Sequence, residues 1–160
     1  GTPNAMTAAW GGIYTDDMIG ICLSEGHKTT KNILETKAFT VSIATASQVA
    51  ACDYVGIVSG NKVADKFSAA GFHAVKSQHV NAPLIEELPM PVECEFVSYD
   101  QESNFLIGRI VNVCADESIL TDGKIDPKKL QPITYDPVNH DYITLGAKAG
   151  NAFTDGKKLK

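Results

Sequence analysis

Apolar and polar residues alternate with period two along Phe39-Thr40-Val41-Ser42-Ile43, which predicts a half-buried strand. Two longer stretches, Val92 to Tyr99 and Phe105 to Val113, predict a pair of strands joined by the polar Asp100-Gln101-Glu102-Ser103-Asn104, a connection of hairpin length. Met6 to Trp10 and Met18 to Leu23 are short apolar segments separated by Gly11-Gly12 and Asp16-Asp17, the pattern of two strands and a turn. Ile133 to Tyr135 and Tyr142 to Leu145 add further short strands. Helical spacing is confined to three places. Thr29 or Thr30 caps a helix to about Lys37 with Ile33 and Leu34 inward; Ser47 caps one holding Val49, Ala50 and Tyr54 that stops at Gly56; and Lys62 to Ala70 forms a third, ended by Gly71. Many short strands, few helices and no regular βαβ alternation predict a mainly β chain, an antiparallel barrel or sandwich with peripheral helices.

With 160 residues, 44% of them hydrophobic and 21% charged, the chain reads as a single domain around one core. No repeat, low-complexity tract or charge block marks a linker. The net charge is −5 and Arg109 is the only arginine, so a nucleic-acid backbone is a poor partner. No apolar run reaches the ~20 residues that span a bilayer, and no signal peptide is visible. Cys22, Cys52, Cys94 and Cys114 lie too far apart for a zinc knuckle or a C-x-x-C pair, and each has apolar neighbours. They read as buried, reduced thiols, and with no N-x-[ST] sequon they place the chain in the cytoplasm.

Three segments carry candidate chemistry. Ser24-Glu25-Gly26-His27-Lys28-Thr29-Thr30-Lys31-Asn32 leaves a strand and enters a helix. It is not a phosphate-binding P-loop: five residues separate Gly20 from Gly26, and His27 intervenes before Lys28. A helix N-terminus with free N–H groups, two hydroxyls and two lysines nonetheless suits one phosphate monoester, the alternative being a capped helix with solvated lysines. Asn4 to Gly12 interleaves small and polar residues and contains the only tryptophan, Trp10; a flat ligand can approach such a backbone closely, and otherwise Trp10 anchors the core. In Ser59 to Phe67, Lys62 and Lys66 are four apart and share a helical face, so one of them can meet an anion or an electron-rich ring instead of solvent. His27, His73, His79 and His140 are scattered. No H-E-x-x-H, G-x-S-x-G or G-x-G-x-x-G occurs, which leaves zinc hydrolases, serine hydrolases and a Rossmann nucleotide site without support and assigns no metal.

Taken in order, N-A-M-T-A-A-W-G-G from Asn4, H-K-T-T-K-N-I from His27, S-G-N-K-V-A-D-K-F from Ser59, Ala82-Pro83-Leu84-Ile85-Glu86-Glu87 with Val92-Glu93-Cys94, and Pro132 to Tyr135 with Tyr142 to Gly146 resemble the flavin reductase-like proteins, the flavoredoxin branch above all. The resemblance implies a six-stranded antiparallel split barrel, a homodimer, and one FMN per subunit near the dimer interface. It implies that Asn4, Ala5, Met6 and Thr7 face the isoalloxazine and ribityl chain, that Trp10 flanks the ring, and that Lys28, Thr29 and Thr30 take the phosphate. Ser59, Gly60 and Lys66 are implied near the cofactor, Lys66 close enough to its polar edge to serve as the catalytic residue in reduction. Family members carry another strand before the G-T-P-N turn, so residues 1–160 are expected to form a single domain without its leading strand. The activity implied is electron transfer from NADH or NADPH through FMN to a flavin or protein acceptor. The alternative is an FMN-holding carrier reduced only by protein partners.

Overall fold

The two longest strands, β6 (Pro91–Asp100) and β7 (Phe105–Val113), form the predicted hairpin and occupy the middle of a five-stranded antiparallel sheet. Its order is β1-β2-β7-β6-β3, with β1 at Gly11–Thr15, β2 at Met18–Cys22 and β3 at Ala38–Ser42. The computed structural model describes residues 1–159, and the main sheet holds five strands where the resemblance implied six. Register shifts between Glu93 and Cys94 and between Phe96 and Ser98 put bulges in the central pair, and bulges sharpen the local twist that curls a sheet.

Curling buries one face. Ile19, Ile21, Leu23, Phe39, Cys94 and Leu106 form its core, and α1 (Lys28–Thr36) covers it with Ile33. A second cluster, Cys52, Val55, Phe67, Phe72 and Leu88, lies under α2 (Val49–Ile57) and the short α3 (Lys66–Ala69). Among the described residues there are also three two-stranded ribbons: β4 (Ala74–Lys76) with β5 (Pro83–Ile85), β8 (Leu120–Thr121) with β9 (Lys124–Ile125), and, after α4 (Pro127–Leu130), β10 (Ile133–Asp136) with β11 (Asp141–Thr144). The last ribbon continues the β3 edge: the Ile133 amide donates to the Ala44 carbonyl at 3.1 Å, and the Ala46 amide to Gln131 at 3.0 Å. At the opposite end of the series Trp10, just before β1, meets Tyr135 of β10 edge to face at 6.4 Å. Strand pairing on one side and ring contact on the other give the antiparallel split β-barrel. No helix among the described residues is long and apolar enough to cross a membrane.

Several local expectations change. Met6 to Trp10 is not a strand, and Gly11-Gly12 opens β1 instead of forming a turn. The polar groups of residues 4–7 find partners on the helices, and Gly11 lets β1 lie against β2, where a Cβ would stand 3.1 Å from the Gly20 carbonyl. α1 starts at Lys28 with His27 at its cap position, so Thr29 and Thr30 lie inside the helix. A 3-10 turn at Ala46–Gln48 precedes α2, which runs through Gly56 to Ile57. The third helix is shorter than Lys62 to Ala70: Asp65 caps it by accepting from the Ser68 amide at 3.3 Å, and Gly71, at φ 82°, follows its end. All four cysteines are free, but only Cys52 and Cys94 are buried; Cys22 and Cys114 are exposed. Burial pushes the Cys94 thiol up to about 12.

Gly108 of β7 sits beneath Phe39, and an added Cβ would run into that ring. Gly108→Ala is therefore expected to cost about 1–3 kcal/mol in urea unfolding. Gly20→Ala is expected to cost less, because Phe105, which its Cβ would meet at 2.5 Å, is only partly buried and can swing away. Glu93, 1% exposed, accepts hydrogen bonds from Ser77 and from Asn112. Burial pushes its carboxyl up, but those bonds, with His79 nearby, outweigh it and hold the group below its ordinary value. Its stabilisation is thus full above the unfolded-state pKa and is lost as pH falls through the folded-state value. Glu93→Gln should flatten the acid limb of stability against pH.

Candidate functional site

Residues 4–7 thread between the two cores, with Ala5 against the α2 cluster and Met6 against the sheet cluster. The polar neighbours fasten this strip: Asn4 Nδ2 donates to Thr29 Oγ1 at 2.7 Å, and the Thr7 hydroxyl donates to the Cys52 carbonyl of α2. A third segment closes on the same place. A Cβ on Gly60 would collide with Asn4 Oδ1 and stand 3.2 Å from Lys28 Cβ, so only glycine permits this approach. Asn61 Nδ2 donates to the Gly26 carbonyl at 2.9 Å and ties the turn after α2 to the entry of α1.

Asn4, Lys28, Thr29 and Gly60 therefore meet at the N-terminus of α1. The first-turn amides of that helix have no acceptor within it, and Lys28 is exposed beside them, which makes the position favourable for an anion. Thr30 turns away: it is fully buried and its hydroxyl donates to the Ser24 carbonyl at 2.8 Å. Ser59 is exposed next to Gly60, its hydroxyl accepting from the Asn61 amide at 3.3 Å.

Lys66 stands behind the turn and is only 4% exposed. Its Nζ donates to the carbonyls of Val55 and Val58, both at 2.7 Å, capping the C-terminal end of α2 with a cation. Burial lowers its pKa. No carboxylate pairs with it among the described residues, and two of its three N–H donors are used. Lys62 precedes the helix, in a turn, and does not share a helical face with Lys66.

Beyond Thr7 the strip opens into a cleft of about 320 Å³. One wall is α2, with Asp53 and Gly56; the other is the β10–β11 ribbon, with Tyr135, His140 and Tyr142. Tyr142 donates to Asp53 Oδ1 at 2.8 Å; burial, then that bond, pushes the phenol up to about 12. Tyr135 lies 2.9 Å from His140 Nδ1 through its hydroxyl, with its ring centroid 6.0 Å from that of Tyr142. Trp10, 60% exposed, completes the aromatic group through Tyr135. Asp53 and His140 escaped the motif reading; the signal for Asp53 is a lone carboxylate in the otherwise apolar V-A-A-C-D-Y-V-G-I helix. Elsewhere the fold gathers His73, Glu86 and Glu87 within 4.8 Å, where His73 Nδ1 pairs with Glu87 at 2.5 Å.

The antiparallel split barrel, with an anion-favouring helix start beside the Asn4–Thr7 strip, has the fold of solved flavin reductase-like proteins. The profile described as flavin reductase like domain matches residues 1–135, and the chain belongs to that family. It is similar to the solved flavoredoxin of Desulfovibrio vulgaris (Miyazaki F), with 36% identity, 96% of this chain and 84% of that one covered, and a TM-score of 0.90. It is also similar to the flavoredoxin of Methanosarcina acetivorans, with 30% identity, coverage of 98% and 85%, and a TM-score of 0.89. The uncharacterized protein YdfE of Bacillus subtilis (strain 168) is 33% identical over 95 residues; that match spans 56% of this chain and only 45% of YdfE.

Replacing Lys66 with Met leaves the Val55 and Val58 carbonyls without their buried donor. The expected loss in denaturant unfolding is about 1–3 kcal/mol, smaller for Lys66→Arg, which retains the charge and donors.

Proposed function

We propose that the chain binds FMN and works as a flavin reductase-type oxidoreductase, passing electrons from NADH or NADPH to a flavin or protein acceptor. The observation that carries the reading is the meeting of Asn4, Lys28, Thr29 and Gly60 at the unpaired amides of α1. In this reading Lys28, with the amides of Lys28 and Thr29, takes the phosphate, and Thr29 is oriented by Asn4. Thr30 contributes its amide alone, its hydroxyl being committed to Ser24. Asn4 to Thr7 present backbone groups to the rest of the cofactor, and Trp10 flanks the ring. Ser59 and Gly60 close the cradle from the far side.

When bound, FMN supplies the redox chemistry, and the protein supplies position and charge. Lys66 contributes both: it fixes the end of α2, and so the Ser59–Asn61 turn, and it carries a buried positive charge with one donor to spare toward an electron-rich edge. The similarity to two flavoredoxins favours a second reading, an FMN-holding electron carrier that accepts electrons only from protein partners.

Anaerobic addition of NADH or NADPH to the FMN-loaded protein tests the choice. Bleaching of the flavin band within seconds is expected for the reductase; colour persisting with both donors selects the carrier, and failure of the protein to take up FMN overturns both. Lys66→Met should slow that bleaching at least tenfold while weakening FMN binding less.

We further propose a homodimer. The edge strand β1 is exposed along its whole length and carries Ile13 and Tyr14 at 74% and 54% exposure, with Ile143 and Leu145 also uncovered. Apolar surface on that scale is what an interface buries. Light scattering should give twice the chain mass, and Ile13→Lys should reduce it to one; a monomeric wild type contradicts the proposal.

A further inference from the structure

His73 and Glu86 face each other at the end of the β4–β5 ribbon, where the Glu86 amide donates to the His73 carbonyl at 3.0 Å and extends the ladder beyond the Ala74–Ile85 pair. Glu87 turns back to the same place: its Oε2 accepts from the His73 amide at 3.0 Å, and its Oε1 lies 2.5 Å from His73 Nδ1. Phe72 before His73 and Leu88 after Glu87 are both buried in the α2 cluster, so the core anchors the backbone on either side. One ligand atom from each of the three side chains lies within 4.8 Å of the others. The Glu86 carboxylate has no hydrogen-bond or ion-pair partner among the described residues.

Glu86 and Glu87 also line a cavity of about 340 Å³, shared with Asp116 and the hydroxyls of Thr45, Ser47 and Ser118. Three carboxylates there meet one cation, Lys129, whose Nζ donates to the Leu120 carbonyl. Such surroundings favour a positive ion. The imidazole selects the class of ion, because nitrogen with carboxylate ligands suits zinc and its transition-metal neighbours, whereas magnesium and calcium take oxygen ligands. Tetrahedral zinc, with bonds of about 2.0–2.2 Å, sets its ligand atoms about 3.3 Å apart. The His73 side chain, 74% exposed, is free to open from Glu87 by the small distance this requires.

We propose that His73, Glu86 and Glu87 bind one zinc-class divalent ion through His73 Nδ1 and one oxygen of each carboxylate. The ion takes the place of the proton between His73 and Glu87 and recruits the free Glu86, leaving a fourth position to water. It staples the end of the β4–β5 ribbon to the segment that carries Leu88 into the core. None of the three residues belongs to the path assigned to FMN, so the site stands apart from the flavin reading.

Calorimetric titration of the untagged protein with zinc, magnesium and calcium salts, with and without added FMN, tests the assignment. Zinc is expected to bind once per chain in both cases, at least a hundredfold more tightly than magnesium or calcium, and to raise the thermal unfolding midpoint. His73→Gln and Glu86→Gln should each weaken zinc at least tenfold, since losing even a group that orients a ligand costs about 10–100-fold. Glu86→Gln removes a side chain without partners, so its fold is expected to match the wild type by circular dichroism. Cys114→Ser, which removes an exposed thiol elsewhere, should leave zinc affinity unchanged. Absence of zinc binding, equal affinity for magnesium, binding that survives both His73→Gln and Glu86→Gln, or binding lost in Cys114→Ser overturns the proposal.

Discussion

The site depends on one close approach, the packing of the Gly60 turn against Asn4 and Lys28. Three segments distant in sequence meet there, and any side chain at position 60 would push them apart. Two hydrogen bonds hold what the glycine permits: Asn4 to Thr29 fastens the N-terminal strip to α1, and Asn61 to Gly26 fastens the turn after α2 to the loop that enters α1. Lys66 secures the third side by drawing two carbonyls at the end of α2 onto one buried ammonium. An uncompensated buried cation is costly in isolation. Here the carbonyl end of α2 offsets that cost, and the same charge lies behind a place suited to an anionic ligand.

The barrel supplies rigidity to this arrangement in a specific way. The bulged β6–β7 pair curls the sheet so that β3 leads into the β10–β11 ribbon, while β1 is brought back by Trp10 to Tyr135. Residues 4–7 are then held between two packed clusters, Ala5 in one and Met6 in the other. Ala5 and Met6 thus turn to different clusters, and the polar Asn4 and Thr7 on either side of them bond to α1 and α2. The strip of residues 4–7 and the aromatic cleft are consecutive stretches of one path, joined at Thr7.

Much of the frame was legible in the order of residues. The β6–β7 hairpin announced itself through two long apolar runs and a five-residue polar connection, and β10 and β11 through short runs of aromatic and β-branched residues. The strip at Met6 to Trp10 reads as a strand because its residues are apolar, yet its hydrogen bonds go to α1 and α2, which no local pattern reveals. Lys66 was found by its motif, but its spacing from Lys62 suggested a shared helical face that the turn and the Asp65 cap do not allow. Thr30 resembles a phosphate ligand in the sequence and turns inward in the fold. The Asp53–Tyr142 pair joins positions 89 residues apart, so only tertiary structure could expose it.

The central claim is that the start of α1, with Lys28 beside it, exists to hold a phosphate. The direct measurement is to titrate the protein with FMN and with riboflavin, which differ only in that group, and to repeat both titrations with Lys28→Ala. The account predicts that FMN binds at least a hundredfold more tightly than riboflavin, and that Lys28→Ala weakens FMN about tenfold, as expected for loss of one charge-assisted contact, while leaving riboflavin unchanged. Equal affinity for the two flavins, or a Lys28→Ala effect of the same size on both, would contradict it.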